Sequence, residues 1–189
     1  MHEKRFNPEH MARLDNSERK RKLPPDKLLQ LLPIHKTDSI LDLGAGTGYF
    51  TIPAAKMTVG KVLSLDIEPK MLEELKSRLE QQHIGNVELV DGAIEDIPVE
   101  DEEFDHVIAS FVMHEVEPLS KGISEIRRVL KSGGHCFCLE WEKTPSDSGP
   151  PLTHRIHSND MKQAFLDAGF TVVVQEAPTE ANYLLILRK

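Results

Sequence analysis

The chain has 189 residues, 29% of them charged and 39% hydrophobic, and a net charge of −8 at pH 7. That balance describes a globular protein long enough to bury a substantial core as one domain, 1–189. No apolar run reaches the length of a bilayer, so no membrane span is expected. An acidic chain is also a poor sequence-independent binder of nucleic acid, because that affinity comes from neutralised phosphates.

The opening residues Met1-His2-Glu3-Lys4-Arg5 lack the apolar stretch of a secretory signal, and a cytoplasmic location is expected. Residues 1–22 are polar and carry a surplus of three positive charges, which leaves −11 for the remainder. The run Arg19-Lys20-Arg21-Lys22 reads as a solvated helix face. Leu23-Pro24-Pro25-Asp26 then opens a helix with Leu28, Leu29 and Leu32 on its apolar side, ended by Pro33.

A first strand over Ser39–Leu43 leads through Gly44, Gly46 and Gly48 into a helix beginning at Thr47 or Gly48. Val62–Asp66 is a second strand, and Met71, Leu75 and Leu79 share one face of the helix that starts near Pro69. Strands follow at 87–90 and 105–109, then a helix with Leu119, Ile123, Ile126 and Leu130 inward. Gly133-Gly134 turns the chain into a fifth strand at 135–140. Cys136 and Cys138 sit two apart on that strand, poorly placed for a disulfide, and read as buried thiols in a reducing compartment. Ser158 or Asn159 caps a further helix that stops at Gly169. Strands near 171–175 and 182–187, joined by the short turn 177–180, pair as a hairpin. Strands alternating with helices predict an α/β, doubly wound, Rossmann-like and mainly parallel sheet, with ligands at the carboxyl ends of its strands.

The glycine loop poses the functional question. A dinucleotide fingerprint places its third glycine three residues after the second, where this chain has Tyr49. Asp42, at the mouth of the first strand, would repel a pyrophosphate and favour an ammonium group. Asp66 ends the next strand twenty residues beyond Gly46, the usual distance for an acid that holds ribose hydroxyls. A ligand with a ribose at one end and an amino acid at the other satisfies both carboxylates, and S-adenosylmethionine (SAM) is such a molecule.

The stretch Ile40-Leu41-Asp42-Leu43-Gly44-Ala45-Gly46-Thr47-Gly48 resembles the first motif of the class I SAM-dependent methyltransferases. Glu95-Asp96-Ile97-Pro98, Glu103-Phe104-Asp105-His106-Val107 and Arg128-Val129-Leu130-Lys131-Ser132-Gly133-Gly134 follow in the family's order, so the resemblance spans residues 38 to 140. Within that superfamily the chain is most similar to the ubiquinone/menaquinone-biosynthesis, or type 11, small-molecule enzymes. The resemblance implies a seven-stranded sheet with an antiparallel last strand (core 36–189) and an N-terminal helical cap or lid (1–35). Phe6, His10 and Arg19 are its candidate contacts; a helical hairpin packed outside the sheet is the alternative.

The resemblance also implies a cofactor shell of Asp42, Gly44, Gly46, Gly48, Asp66, Ile67, Ala93, Ile94 and Phe111. Ile67 would pack on the adenine. Ala93 stands where relatives carry an acid that accepts from the adenine amino group, so a main-chain amide there, or Asp91 or Glu95, takes its place. The acceptor side begins at Ser110-Phe111-Val112-Met113, which lacks the paired prolines of base-methylating enzymes, and nucleic acid is not the expected substrate. His114 and Glu115 are the catalytic candidates, since an imidazole near neutral pKa can remove a proton as the methyl arrives. His114 capping the next helix is the alternative. Trp141, His154 and Arg155 are candidate substrate contacts. His154 and His157 lack a clear third ligand, and no metal is expected.

The expected activity is methyl transfer to a small molecule, C- or O-methylation preferred, releasing S-adenosylhomocysteine (SAH). Methylation of a protein, peptide or metalloid, or a catalytically idle SAM-binding partner protein, are the other readings.

Overall fold

The computed structural model describes residues 17–146 and 148–189. Phe6 and His10 lie outside them. Two short helices, α1 (Ser17–Lys22) and α2 (Pro25–Leu29), precede an alternating series. It runs β1 (Ile40–Leu43), α3 (Thr51–Met57), β2 (Val62–Asp66), α4 (Pro69–Gln81), β3 (Val87–Asp91) and β4 (Phe104–Ser110). After a 3-10 turn at Met113–Glu115 come α5 (Leu119–Val129), β5 (Leu130–Trp141), α6 (Ser158–Asp167), β6 (Thr171–Thr179) and β7 (Asn182–Arg188).

The strands form one seven-stranded sheet in the order β3-β2-β1-β4-β5-β7-β6. β1 through β5 pair in parallel, and β7 lies antiparallel between β5 and β6. The doubly wound prediction therefore holds, including the closing hairpin. Strand order reverses between β1 and β4, the place where such sheets open a crevice.

Alternation along each strand sorts the core into two layers. Leu41, Leu43, Val107 and Cys138 face α5 and α6, packing with Ile123, Ile126, Met161 and Phe165. Ile40, Ile108, Phe137 and Leu184 face the other way, against α2 and α3, with Leu29, Phe50 and Ala54. Cys136 and Cys138 are free thiols, fully buried, and burial pushes both thiol pKa values up. Among the described residues no helix is long and apolar enough to cross a membrane.

Five local details differ from the sequence reading. Helix α2 stops at Leu29, so Leu32 and Pro33 lie beyond it. Helix α3 starts at Thr51, because Gly44, Gly46 and Gly48 all take positive φ and extend the loop before regular helix begins. β5 starts at Leu130, the last inward residue of the predicted helix. The chain passes straight from α5 into the strand, and Gly133 and Gly134 form an irregularity inside it where the register with β4 shifts. The cap of α6 is His157, whose Nδ1 accepts from the Asn159 amide at 3.3 Å. β6 runs on to Thr179, which shortens the hairpin turn to Glu180 and Ala181.

Gly48 has φ +90°, and a Cβ built there would overlap the fully buried Leu75 of α4. Gly48→Ala combines left-handed strain with overpacking and is expected to cost about 1–3 kcal/mol. Thermal unfolding by circular dichroism checks this: at about 2–4 °C per kcal/mol for a chain of this size, an unchanged midpoint would contradict the packing described.

Candidate active site

A cleft of about 2090 Å³ opens at the carboxyl ends of β1, β2, β4 and β5. Pockets that hold one drug-sized ligand run to about 1,000 Å³, so this one has room for two reactants. Its residues come from the loops that follow parallel strands, together with α1 and the β6–β7 turn.

Asp42 and Asp66 stand at the ends of neighbouring strands, 2% and 8% exposed. Thr51 Oγ1 donates to Asp42 Oδ2 at 2.6 Å, and Ser64 Oγ donates to Thr51 Oγ1 at 3.1 Å, so a buried hydroxyl chain orients the first carboxylate. Burial raises the Asp42 pKa to about 7; the Thr51 hydrogen bond opposes the shift and the Asp66 charge adds to it. Asp66 Oδ2 accepts from the Gly46 amide at 2.7 Å and Oδ1 from the Glu68 amide at 2.9 Å. Its pKa is also raised by burial, against the pull of those amides.

Gly44 has φ +62°, and a Cβ there would come within 2.9 Å of Val112 Cβ. Its bareness lets the loop after β1 close on the loop after β4. Gly44, Gly46, Ile67, Ala93, Ile94 and Phe111 all border the cleft. Gly48 does not; it faces α4, and its expected place in the cofactor shell is replaced by a packing role. Asp91 is also absent from the cleft wall. Glu95 is present there, with Oε1 accepting from the Glu117 amide at 3.1 Å.

His114 also borders the cleft; it is 7% exposed and sits on the 3-10 turn after β4. Its Nδ1 lies 2.9 Å from Glu140 Oε2 and 3.1 Å from Oε1. A carboxylate only accepts, so Nδ1 carries the hydrogen and Nε2 is left as the basic nitrogen. Glu140 is itself 1% exposed and also accepts from the His114 and Trp141 amides. Burial lowers the His114 pKa, but Glu140, by charge and hydrogen bond, and Glu115 outweigh it and the net direction is upward. Glu115 Oε1 is 3.9 Å from His114 Nε2 and borders the same cleft.

Glu140 has no assigned role in the sequence reading. Its signal was a carboxylate at the end of an otherwise buried run, Phe137-Cys138-Leu139, where an acid is tolerated only with a partner. Thr51 and Tyr49 escaped as well. Tyr49 borders the cleft with Arg19 lying 4.1 Å over its ring, and Arg19 also sits 5.2 Å from the Phe111 ring. Glu18, Arg19, Lys22 and Leu23 reach the cleft wall, while Lys20 and Arg21 of the basic run are exposed away from it.

Trp141 and His154 border the cleft, and the Trp141 ring lies 5.2 Å from that of Phe111. Arg155 does not border it. Its guanidinium is spent on the loop after β5, donating to the carbonyls of Pro150, Thr144 and Ser148 at 2.9, 2.9 and 2.7 Å and to Ser146 Oγ at 2.8 Å. Arg155 thus shapes the loop that walls the cleft, which corrects its expected role as a substrate contact. Among the described residues no group of three or more His, Cys, Asp and Glu is placed to hold a metal ion.

The His114–Glu140 pair has a direct check. Its imidazole should titrate above the ordinary value of about 6.5 by NMR. Glu140→Gln, which leaves burial as the largest effect, should drop it below that value. The raised pKa means that the ion pair stabilises the fold at low pH and loses that contribution as pH rises through the folded-state pKa. A His114 titration that Glu140→Gln leaves in place would contradict the pairing.

Comparison with known proteins agrees with this geometry. Residues 41–138 match the family described as "Methyltransferase domain" (Methyltransf_11). Over 113 residues the chain is 37% identical to a ubiquinone/menaquinone biosynthesis C-methyltransferase of Francisella tularensis, covering 58% of this chain and 45% of the relative. A demethylmenaquinone methyltransferase of Staphylococcus saprophyticus is 33% identical over 116 residues, 60% and 49% of the two chains. The chain therefore spans about half the length of these relatives. A SAM-dependent methyltransferase from Aquifex aeolicus superposes with a TM-score of 0.91 at 24% identity, covering 97% of this chain and 99% of that one, which shows the shared fold.

The site fits the cofactor of this family. Two buried carboxylates face a single cleft, and acids outnumber Lys and Arg on its wall seven to two, a setting for a cationic ligand with a ribose. The close approach of the loops after β1 and β4, the neighbouring Asp42 and Asp66 and the family match lead to one assignment: this chain belongs to the methyltransferase-domain family of class I SAM-dependent methyltransferases.

Proposed function

We propose that the protein transfers a methyl group from SAM to a small-molecule acceptor, with C- or O-methylation preferred. The observation that carries this reading is the placement of Asp42, Asp66 and the His114–Glu140 pair around one cleft large enough for two reactants. SAM supplies an electrophilic methyl on a sulfonium whose thioether departs readily.

Asp66 would hold the ribose hydroxyls, exchanging its present amide contact with Gly46 for them or sharing it. Asp42, fixed by Thr51, would meet the ammonium group. Ile67 offers an apolar surface for the adenine, with the main chain at Ala93 and Ile94 along its edge. In the same cleft, His114 Nε2 takes the proton that an acceptor O–H or C–H gives up, and Glu140 stabilises the imidazolium that results. Glu115 adds negative charge beside the same nitrogen. The Arg155-braced loop, carrying Trp141 at its root, limits water at the reacting centre. The two relatives named for quinone-pathway methylation support a ring-bearing acceptor.

Calorimetric titration tests the cofactor assignment. SAM should bind, NADH should not, and Asp66→Ala should weaken SAM by at least about tenfold, roughly 1.4 kcal/mol. A folded Asp66→Ala variant with unchanged SAM affinity would refute the ribose assignment. A second prediction follows from the Asp42 pKa of about 7. An ammonium group binds the ionised carboxylate, so SAM binding near pH 7 should release protons, and affinity should fall as pH drops below 7. Titrations in two buffers of different ionisation enthalpy read the proton count; no proton release at pH 7 would contradict the Asp42–ammonium contact.

A further inference from the structure

Among the described residues, Asn182 Nδ2 and Ser110 Oγ are buried polar atoms of the cleft wall without a hydrogen-bond partner. Neither is used by the roles assigned above. Asn182 is 4% exposed at the start of β7 and is the register partner of Trp141 on β5. Ser110, the last residue of β4, is the register partner of Leu139, two residues before Trp141. Paired residues share a face, and so do residues two apart on a strand. Ser110, Trp141 and Asn182 therefore lie on one face of the sheet, with the Phe111 ring 5.2 Å from that of Trp141.

The orientation of the Asn182 amide is set by its neighbours. Thr179 Oγ1 accepts from the Ala181 amide at 3.2 Å and gives its own proton to Asn182 Oδ1 at 2.7 Å. In this arrangement the oxygen lies toward Thr179 and the NH₂ group is turned away from it. A buried donor without a partner is costly unless something arrives to accept from it. The nearby turn contributes Glu180, and the cleft as a whole is acidic, so an anion would be repelled.

We propose that Asn182 Nδ2 forms the polar anchor of the acceptor subsite, with Ser110 Oγ a second donor on the same face two strands away. Asn182 would donate to an accepting oxygen, carbonyl or hydroxyl, of a neutral flat molecule lying beside Trp141. This rests on the methyltransferase reading of the cleft and adds to it the residues that select the acceptor. A site built to donate to a substrate oxygen discriminates strongly against an analogue that lacks it.

Trp141 is the single tryptophan of the chain, so its indole N–H gives one NMR resonance at the subsite. The full-length protein, labelled with 15N-tryptophan and saturated with SAH, is titrated with 1-tetralone. A parallel titration uses the isostere in which a methylene group replaces the carbonyl oxygen. Tetralone should shift the Trp141 resonance and bind at least tenfold more tightly than the isostere. Asn182→Leu should abolish that preference, whereas Ser110→Ala, two strands away from the single oxygen, should leave it. Asn182→Asp keeps the acceptor for Thr179 while removing the donor; it should lose the preference too, and decides the matter if the leucine variant does not fold.

Equal affinity of the two probes for the unsubstituted protein would overturn the anchor. So would a preference that survives both Asn182 substitutions, or a Trp141 resonance that tetralone leaves unmoved. Calorimetry of SAH on the same samples separates the two levels. Absent SAH binding sinks the methyltransferase reading itself, whereas normal SAH binding without the tetralone preference sinks only the anchor.

Discussion

Three carboxylates, Asp42, Asp66 and Glu140, are buried where parallel strands end, and the site is organised around the cost of keeping them there. Removing a carboxylate from water is expensive unless donors or opposite charge replace the lost hydration. Each of the three meets that cost differently. Asp42 leans on the Thr51 hydroxyl and remains under-compensated, with a pKa of about 7. Asp66 takes two backbone amides, and Glu140 takes an imidazole and two amides. The least satisfied acids are the two proposed to meet the cationic cofactor; the best satisfied acid holds the His114 imidazole.

The parallel sheet makes this arrangement possible. β1, β2, β4 and β5 all run in the same direction, so their carboxyl ends and the loops after them converge on one edge. The reversal of strand order between β1 and β4 leaves their loops free to part, and Gly44 lets them meet again over Val112. The antiparallel β7 has a different consequence. By running against β5 it brings its first residue, Asn182, to the same edge and beside Trp141. A seventh strand added in parallel would have presented its last residue there instead.

Much of this was legible in the residues. The apolar runs ending in Asp42 and Asp66, with glycines between, specify two strand ends and a loop whatever the rest of the chain does, because alternation and glycine punctuation act locally. The missed features share a cause. Glu140 acquires meaning only through His114, twenty-six residues away, and Arg155 only through the carbonyls of the loop it gathers. Gly48 belongs to the glycine pattern of the loop, yet its side is turned to Leu75 of the next helix. Periodicity identifies a residue's element and face, but not the partner that crosses from another element.

The sequence by itself determined the class of fold, the position of the glycine loop, the two acids that close neighbouring strands and the histidine that follows the fourth. These follow from hydrophobic period, turn chemistry and spacing along one chain. Only the tertiary structure decided which nitrogen of His114 is basic, that Arg155 braces a loop and that Gly48 packs against a helix. It also decided that Asn182 and Ser110 bring unpartnered polar atoms to the cleft wall. Those outcomes depend on hydrogen bonds, close contacts and register between segments far apart in the chain, and they are fixed only when the sheet assembles.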